Sequence, residues 1–245
     1  MQKARISALQ KRVRQLGNHE IARHHQGFFK TGKGEYGEGD RFLGIRVPVL
    51  RKLAGQQKDM PLDTASRLLA SDFHEERLLS LLILVSLFNT GTQKEKHAVY
   101  KIYLENTHFI NNWDLVDSSA QHIVGAYLLK RSRNPIYKLA RSKMLWERRI
   151  SIMSTFYFIK RNDFNDTLNL SERLLHDPED LIHKAVGWML REIGNRNQAI
   201  EERFLKTHYQ EMPRTMLRYA IEKFEEKKRK AYLKGHIWVR KQVEP

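Results

Sequence analysis

The chain has 245 residues, of which 41% are hydrophobic and 29% are charged. This balance is typical of a folded globular protein and excludes a largely disordered chain. Lysine and arginine outnumber aspartate and glutamate by 44 to 28, which gives a net charge of +16. A charge this positive predicts a polyanionic partner, which is DNA, RNA or an anionic membrane surface. A generally basic protein without such a partner is the alternative.

Several classes of protein are disfavoured by what the sequence lacks. It has no cysteine, which excludes disulfides, thiolate metal sites and cysteine nucleophiles. The N-terminus has no apolar run of the signal-peptide type, and the most apolar segment, residues 78–88, is too short to span a bilayer. We therefore expect a cytoplasmic protein outside the membrane. Zinc-protease histidine spacing and a Gly-x-Ser-x-Gly motif are also missing, which disfavours metal and serine hydrolase chemistry.

Almost the whole chain has helical periodicity. Apolar residues recur three and four positions apart, and short turns with glycine, asparagine or proline separate the segments. Helices are predicted at residues 3–16, 19–30, 48–57, 61–70, 74–89, 93–106, 113–131, 135–143, 146–160, 165–176, 179–194, 197–210 and 214–233. No segment alternates with period two over more than a few residues, so no sheet is predicted.

The helices are short and pair into units of roughly 30 to 40 residues, a period typical of stacked helical hairpins. This spacing predicts an all-α superhelical solenoid of HEAT-like repeats with a concave basic face. We expect residues 1–245 to form one such domain, with residues 234–245 as a flexible tail. A single compact all-α bundle is the alternative.

Residues 30–47 form the one glycine-rich loop of the sequence. Its Gly32-x-Gly34-x-x-Gly37 spacing matches a nucleotide-binding pattern. However, no buried strand precedes it and no Gly-Lys-Ser/Thr follows it, so we interpret it as a flexible or turn-rich connector. Pro48, just after the loop, suits the first position of a helix.

The segment 111–120 has the pattern most typical of a functional site. Trp113 and Asp117 are four residues apart, so on a helix they lie on one face, about 6 Å apart along the axis. An aromatic face beside a carboxylate suits a planar cationic ligand. Asp114 points elsewhere and is well placed in the first helical turn. The same pattern also arises from a core tryptophan followed by a solvated or capping carboxylate.

Later helices carry large aromatic or cationic residues in similar contexts. Equivalent positions of successive repeats line the same face of a solenoid, so scattered residues can converge there. The candidates for such convergence are Trp113, Asp117, Arg149, Trp188 and Arg191. The alternative is that the later tryptophans are core and the arginines are solvated. Residues 214–241 contain ten Lys or Arg against three Glu, and we favour a phosphate-contacting surface over a merely solvated helix.

Together these segments resemble the AlkD family of bacterial DNA glycosylases, which are alkylation-repair proteins built from HEAT-like repeats. The resemblance extends over nearly the whole chain. It rests on Phe42-Leu43-Gly44-Ile45 followed by Pro48, on Asn112-Trp113-Asp114-Leu115-Val116-Asp117, on Trp146-x-x-Arg149, and on Lys184-Ala185-x-Gly187-Trp188-x-Leu190-Arg191.

The resemblance implies a monofunctional DNA glycosylase that releases positively charged alkylpurines, such as 3-methyladenine and 7-methylguanine, from double-stranded DNA without flipping the base. It implies that Asp117 is the catalytic carboxylate and that Trp113 and Trp188 flank the lesioned nucleotide. Arg149 would hold the backbone nearby, with Arg148 as the alternative. The candidate DNA contacts are Tyr36, Arg46, Arg148, Lys184, Arg191, Arg214 and Arg218. We expect a monomer that requires no metal, organic cofactor or obligate protein partner.

Two other functions are compatible with parts of this pattern. A non-catalytic HEAT module that binds DNA or RNA would share the basic face but release no base. A protein-binding scaffold would bind nucleic acid only with the non-specific affinity that its positive charge produces. The joint occurrence of Trp113, Asp117 and Trp188 favours the enzyme, and the net charge of +16 disfavours the scaffold.

Overall fold

The structure is a computed structural model that describes residues 2–237, with side chains from residue 5 onward. Its helices are α1 (Gln2–Gln15), α2 (His19–Phe28), α3 (Val47–Gly55), α4 (Leu62–Leu69), α5 (His74–Thr90), α6 (Gln93–Glu105), α7 (Trp113–Asp117), α8 (Ala126–Leu128), α9 (Asn134–Leu139), α10 (Leu145–Ser154), α11 (Phe156–Ile159), α12 (Asn165–Arg173), α13 (Asp180–Gly194), α14 (Gln198–His208), α15 (Arg214–Ala220) and α16 (Glu226–Lys234). Within residues 2–237 there is no β-strand, and an isolated bridge joins Arg41 to Phe73. The predicted all-α class is confirmed.

The helices divide into two compact units, Met1–Tyr127 and Leu128–Pro245. The first unit contains α1 to α7, and the second contains α9 to α16. The single domain and its concave basic face stay predictions. Of the predicted tail, residues 238–245 lie outside the described residues. None of the described helices combines the length and apolar character needed to cross a membrane.

The first unit is built around α5, which packs against α3, α4, α6 and α7. Every residue of α5 from His74 to Leu84 is buried, so no face of this stretch is left to water. A helix surrounded by neighbours needs apolar residues all round its circumference, which explains the unusually apolar run in this part of the sequence. Between Leu78 and Leu84 the one polar residue is Ser80, whose hydroxyl donates to the carbonyl of Ala65 at 2.6 Å.

The second unit is built around α13, which packs against α10, α12, α14 and α15. Gly187 allows α15 to approach α13 closely, because a Cβ at this position would lie 2.4 Å from the carbonyl oxygen of Met216. Any larger residue would therefore force the two helices apart. The neighbouring Trp188 is half-buried on the same helix.

One predicted helix, 113–131, is interrupted in the structure. The hydroxyl of Ser119 donates to the carbonyl of Leu115, one turn earlier, and also contacts the hydroxyl of Tyr103 at 2.9 Å. Serine hydroxyls that bond back to the preceding turn compete with the helical ladder. The chain turns at Ser118 and continues as a π-helical segment at Gln121–Gly125. The prediction of one continuous helix is wrong here.

Two further predicted helices are also broken. In the segment 146–160, the hydroxyls of Ser154 and Thr155 donate to carbonyls of α10 at 2.6 and 2.7 Å, and α11 begins at the next residue. In the segment 214–233, Phe224 adopts an extended conformation with φ −73° and ψ 152°. α15 ends at Ala220 and a 3₁₀ turn follows at Ile221–Lys223; the buried ring of Phe224 then packs edge-on against Tyr232 of α16 at 5.7 Å.

Glu201 gives a testable consequence of burial in the second unit. It is 1% exposed, and its Oε1 has no hydrogen-bond partner within the described chain. Burial raises the pKa of Glu201 from 4.5 to about 8, against the opposing charges of Arg191 and Lys228. Because the pKa is higher in the folded state, the stability that this group contributes is present below pH 4.5 and is lost as the pH rises through 8.

We therefore expect the substitution Glu201→Gln, which cannot ionise, to become progressively more stable than the parent protein between pH 5 and pH 8. The free energy of unfolding of the variant minus that of the parent should increase by about 1 kcal/mol or more over this range. Urea unfolding at both pH values measures it. A difference that does not change with pH would contradict the assignment.

Candidate active site

A cavity of about 610 Å³ lies beside α7 in the first unit. Trp113 and Asp117 both line it, together with Arg46. The spacing of Trp113 and Asp117 predicted that both side chains face a shared space, and both line this cavity. Much of the remaining wall is aromatic, from Phe28, Phe29, Phe42, His24 and His25.

Ring contacts hold Trp113 against this wall. Its indole stacks on Phe29 with centroids 5.2 Å apart and an interplanar angle of 21°, and it meets Phe28 edge-on at 5.9 Å. Phe29 in turn stacks on Phe42 at 5.0 Å. Stacked and edge-on ring pairs are favourable geometries, so Phe28 and Phe29 orient the indole, and Phe42 supports Phe29.

The start of α7 is fixed by local capping. Asn112 is fully buried, and its side-chain oxygen accepts a hydrogen bond from the N–H of Trp113 at 2.8 Å. Asp114 Oδ1 accepts from the N–H of Leu115 at 2.9 Å. Both side-chain oxygens accept hydrogen bonds from backbone N–H groups that the start of a helix leaves without a partner. Trp113 and Asp117, the first and last residues of α7, therefore project from an anchored turn.

A buried charged network lies next to this turn. His74 contacts Asp40 through Nδ1 and Asp114 through Nε2, both at 2.8 Å, and Arg77 donates to Asp40 at 2.6 Å. Burial disfavours the charged imidazole and so lowers the pKa of His74. The negative charges and hydrogen bonds of Asp114 and Asp40 outweigh this effect and raise the pKa to about 9. Burial also disfavours ionised Asp40, yet His74 and Arg77 hold the pKa of that carboxyl below its ordinary value.

The end of the glycine-rich loop is also anchored to α5. The carboxylate of Glu75 accepts hydrogen bonds from the N–H groups of Leu43, Gly44 and Ile45 at 2.8, 2.7 and 3.2 Å. Gly44 has φ +79°, and a Cβ there would lie 2.1 Å from the carbonyl oxygen of Asn18. Only glycine fits this position. The loop is turn-rich, as expected, and its last residues are held in a defined conformation.

In the second unit, the two neighbouring arginines of α10 have different surroundings. Arg148 binds Asp177 with two guanidinium nitrogens, at 2.6 and 3.2 Å, and its third nitrogen donates to the carbonyls of Ser142 and Lys143. Its whole guanidinium is therefore engaged within the protein. Arg149 is 5% exposed and donates to the carbonyl of Leu181 on α13.

Trp188 lies on α13 with its indole N–H 3.2 Å from Glu192 and its ring 5.9 Å from Phe156. It is half-buried rather than fully in the core. Lys160, which follows Phe156 by four residues, lies over the Phe156 ring at 4.1 Å. The tryptophan thus sits in a small aromatic and cationic cluster of the second unit.

The candidate DNA contacts lie in several environments. Lys184 and Arg218 line a second cavity of about 440 Å³, where Lys184 pairs with Asp180 at 2.8 Å. Arg191 forms an ion pair with Glu222, and Arg214 donates to the carbonyl of Leu233 at 2.6 Å. The remaining candidate, Tyr36, is half-buried and contacts the carbonyl of Phe28 at 3.5 Å.

Sequence reasoning missed the network of Asp40, His74 and Asp114 and the aromatic wall of Phe28 and Phe29. A signal for the network was present, because residues 74–77 place four ionisable side chains at the start of the most apolar helix. Charges next to a buried run have to be paired. The adjacent pair of phenylalanines before the glycine-rich loop was the corresponding signal for the wall.

The raised pKa of His74 predicts a loss of stability at alkaline pH. The contribution of a group whose pKa rises on folding is fully present below its unfolded value, near 6.5, and is lost as the pH rises through about 9. Between pH 6 and pH 10, the free energy of unfolding of the parent protein should fall by on the order of 3 kcal/mol more than that of a His74→Gln variant. Denaturant unfolding of both proteins tests this, and equal losses would contradict it.

Comparison with known proteins agrees with this architecture. A solved structure, a predicted DNA alkylation repair enzyme from Enterococcus faecalis, has a TM-score of 0.66 with this chain at 15% sequence identity, and the match covers 86% of this chain and 97% of that one. This likeness shows the fold and confirms the helical-repeat class. No curated protein matches the chain significantly.

The family model described as DNA alkylation repair enzyme matches residues 9–224, which is most of the chain. Membership of this family supports a role in DNA repair, with DNA as the partner. The protein belongs to the family of DNA alkylation repair enzymes.

Proposed function

We propose that the protein is a monofunctional DNA glycosylase that hydrolyses the N-glycosidic bond of positively charged alkylpurines, such as 3-methyladenine and 7-methylguanine, in double-stranded DNA. The observation that carries this proposal is that Trp113 and Asp117 line one cavity of the first unit. An indole and a carboxylate that share a space suit a substrate with a flat, positively charged group. The net charge of +16 suits the DNA backbone.

The proposed chemistry needs little more than a well-placed anion. Alkylation at N3 or N7 makes the purine cationic, so it leaves with the electron pair of its bond to C1′ and becomes neutral. Positive charge then develops on the deoxyribose, where the carboxylate of Asp117 stabilises it, as carboxylates do in glycoside hydrolysis. Water adds to C1′ and gives up a proton, which we propose that Asp117 accepts. The products are a free base and an abasic site.

We propose that the base is not extruded into a pocket before it leaves. The buried rings of Phe29 and Phe42 in the cavity wall offer carbon faces. His74 has both ring nitrogens engaged by carboxylates. An extruded base is stacked between rings and read by hydrogen bonds at its edges, and Phe29, Phe42 and His74 can supply only the stacking.

We propose that residues of the second unit also act on the DNA. As the family resemblance implies, Trp188 is the second aromatic residue for the lesioned nucleotide, and Arg149 holds the DNA backbone. We keep Arg149 in this role because the family resemblance implies it; Arg148 is engaged by Asp177 and two carbonyls, and Arg149 is 5% exposed and donates to the carbonyl of Leu181. The proposed phosphate contacts are Tyr36, Arg46, Lys184, Arg191, Arg214 and Arg218.

The proposal predicts that the protein releases 7-methylguanine and 3-methyladenine from methylated duplex DNA, as measured by mass spectrometry of the free bases. Replacing Asp117 by Asn keeps the shape but removes the charge, so the rate should fall by a factor on the order of 10²–10³. Binding of the variant to the same duplex should be retained. If the parent protein binds the methylated duplex but releases no base, the proposed activity is wrong and a non-catalytic DNA-binding module is supported.

A further inference from the structure

His74 is enclosed by two carboxylates that accept hydrogen bonds. Its side chain is 2% exposed, and each ring nitrogen lies 2.8 Å from a carboxylate oxygen, one of Asp40 and one of Asp114. An ionised carboxylate has no proton to donate, so both ring nitrogens have to carry one. The geometry therefore describes an imidazolium that bridges two anions, and the raised pKa of His74 agrees with it.

This bridge joins three segments that are far apart in the sequence. Asp40 belongs to the glycine-rich loop, His74 is the first residue of α5, and Asp114 is the second residue of α7. The second oxygen of Asp114 accepts the N–H of Leu115 at 2.9 Å, so the same carboxylate is bound both to His74 and to the backbone of α7. The helix that carries Trp113 and Asp117 is thereby tied to the buried start of α5.

Ring packing provides a second connection between His74 and the cavity wall. The imidazole stacks on Phe42 with centroids 4.5 Å apart, and it lies 5.0 Å from Phe29 at a tilt of 38°. Phe29 is the ring on which Trp113 stacks. A change at His74 therefore reaches the indole through Phe29 as well as through Asp114.

The charges around His74 indicate a positional rather than a catalytic role. Arg77 lies on the far side of Asp40, so the two cations and the two carboxylates of Asp40 and Asp114 balance. Towards α2, Glu75 lies 3.6 Å from His25 and caps the loop N–H groups. Because the charges of Asp40, His74, Arg77 and Asp114 cancel, this network adds no net charge to the cavity.

We propose that His74 is a positioning residue for base release, which holds α7 through Asp114 and Trp113 through Phe29, and so sets where Asp117 stands in the cavity. The proposal rests on the glycosylase activity proposed above. It goes beyond it by assigning a positioning function to His74 and Asp114, which line the same cavity with side chains that are 2% and 15% exposed.

A double-mutant cycle of His74→Gln, Asp114→Asn and the combined variant tests the proposal. Each single substitution should lower kcat for base release about tenfold or more, because positioning acts on the reacting groups. The dissociation constant for duplex DNA with an uncleavable abasic analogue should change by less than about threefold. Since each single variant already loses the His74–Asp114 contact, the combined variant should be clearly faster than the product of the two single effects predicts. Multiplying effects, or unchanged kcat, would overturn the proposal.

Glu76→Gln is the matched control for lost stability. Glu76 is fully buried on the same helix, but it binds Arg14 at 2.8 Å and is not part of the cavity wall. Removing this pair should destabilise the protein while kcat stays within about twofold of the parent value. If Glu76→Gln slows base release as strongly as His74→Gln does, general destabilisation explains both, and the proposal is wrong.

A readout without catalysis separates this proposal from the proposed function. The chain has four tryptophans, which 5-fluorotryptophan labelling resolves by ¹⁹F NMR, with Trp113→Phe assigning the signal of interest. His74→Gln should shift the Trp113 resonance, and Glu76→Gln should leave it in place. If the parent protein releases no base but the shift occurs, only the glycosylase activity fails. If the Trp113 resonance does not move, the positioning role fails whatever the activity.

Discussion

The first unit depends on how it pairs the charges at the buried start of α5. Residues 74–77 are all ionisable and all less than 5% exposed. Burying such groups is costly unless each one is paired and hydrogen-bonded. The pairing is achieved by bringing other segments to them: the glycine-rich loop through Asp40, α1 through Arg14 and α7 through Asp114. The elements around the cavity are thus positioned by a demand for charge compensation, in addition to apolar packing.

Much of the fold follows from sequence periodicity, but the breaks in its helices do not. The start of nearly every helix could be read from apolar spacing and turn residues. The interruption after Asp117 could not, because it depends on Ser119, whose hydroxyl contacts Tyr103 on another helix. Phe224 likewise interrupts the predicted helix 214–233, because it is extended and its ring packs against Tyr232. Local propensity predicts a helix in both places, and tertiary contacts override it.

The candidate site was predictable only where it is local. Trp113 and Asp117 are four residues apart, so helical geometry alone places them in one space. The partners of His74 are 34 and 40 residues away, and no periodicity pairs residues at such distances. Whether Arg148 or Arg149 belongs to the site also escaped the sequence, because one position turns a side chain by about 100° on a helix. In the structure Arg148 binds Asp177, and the more buried Arg149 donates to the carbonyl of Leu181.

The central claim is that the Asp117 carboxylate stabilises positive charge that develops on the deoxyribose. Its most direct test is the affinity for duplex DNA that contains either a cationic pyrrolidine or a neutral tetrahydrofuran in place of the damaged nucleoside. Enzymes bind mimics of their transition state more tightly than neutral analogues. We predict that the cationic duplex binds at least about tenfold more tightly, and that Asp117→Asn abolishes this preference. Equal affinity of the parent protein for both duplexes, or an undiminished preference in the variant, would contradict the claim.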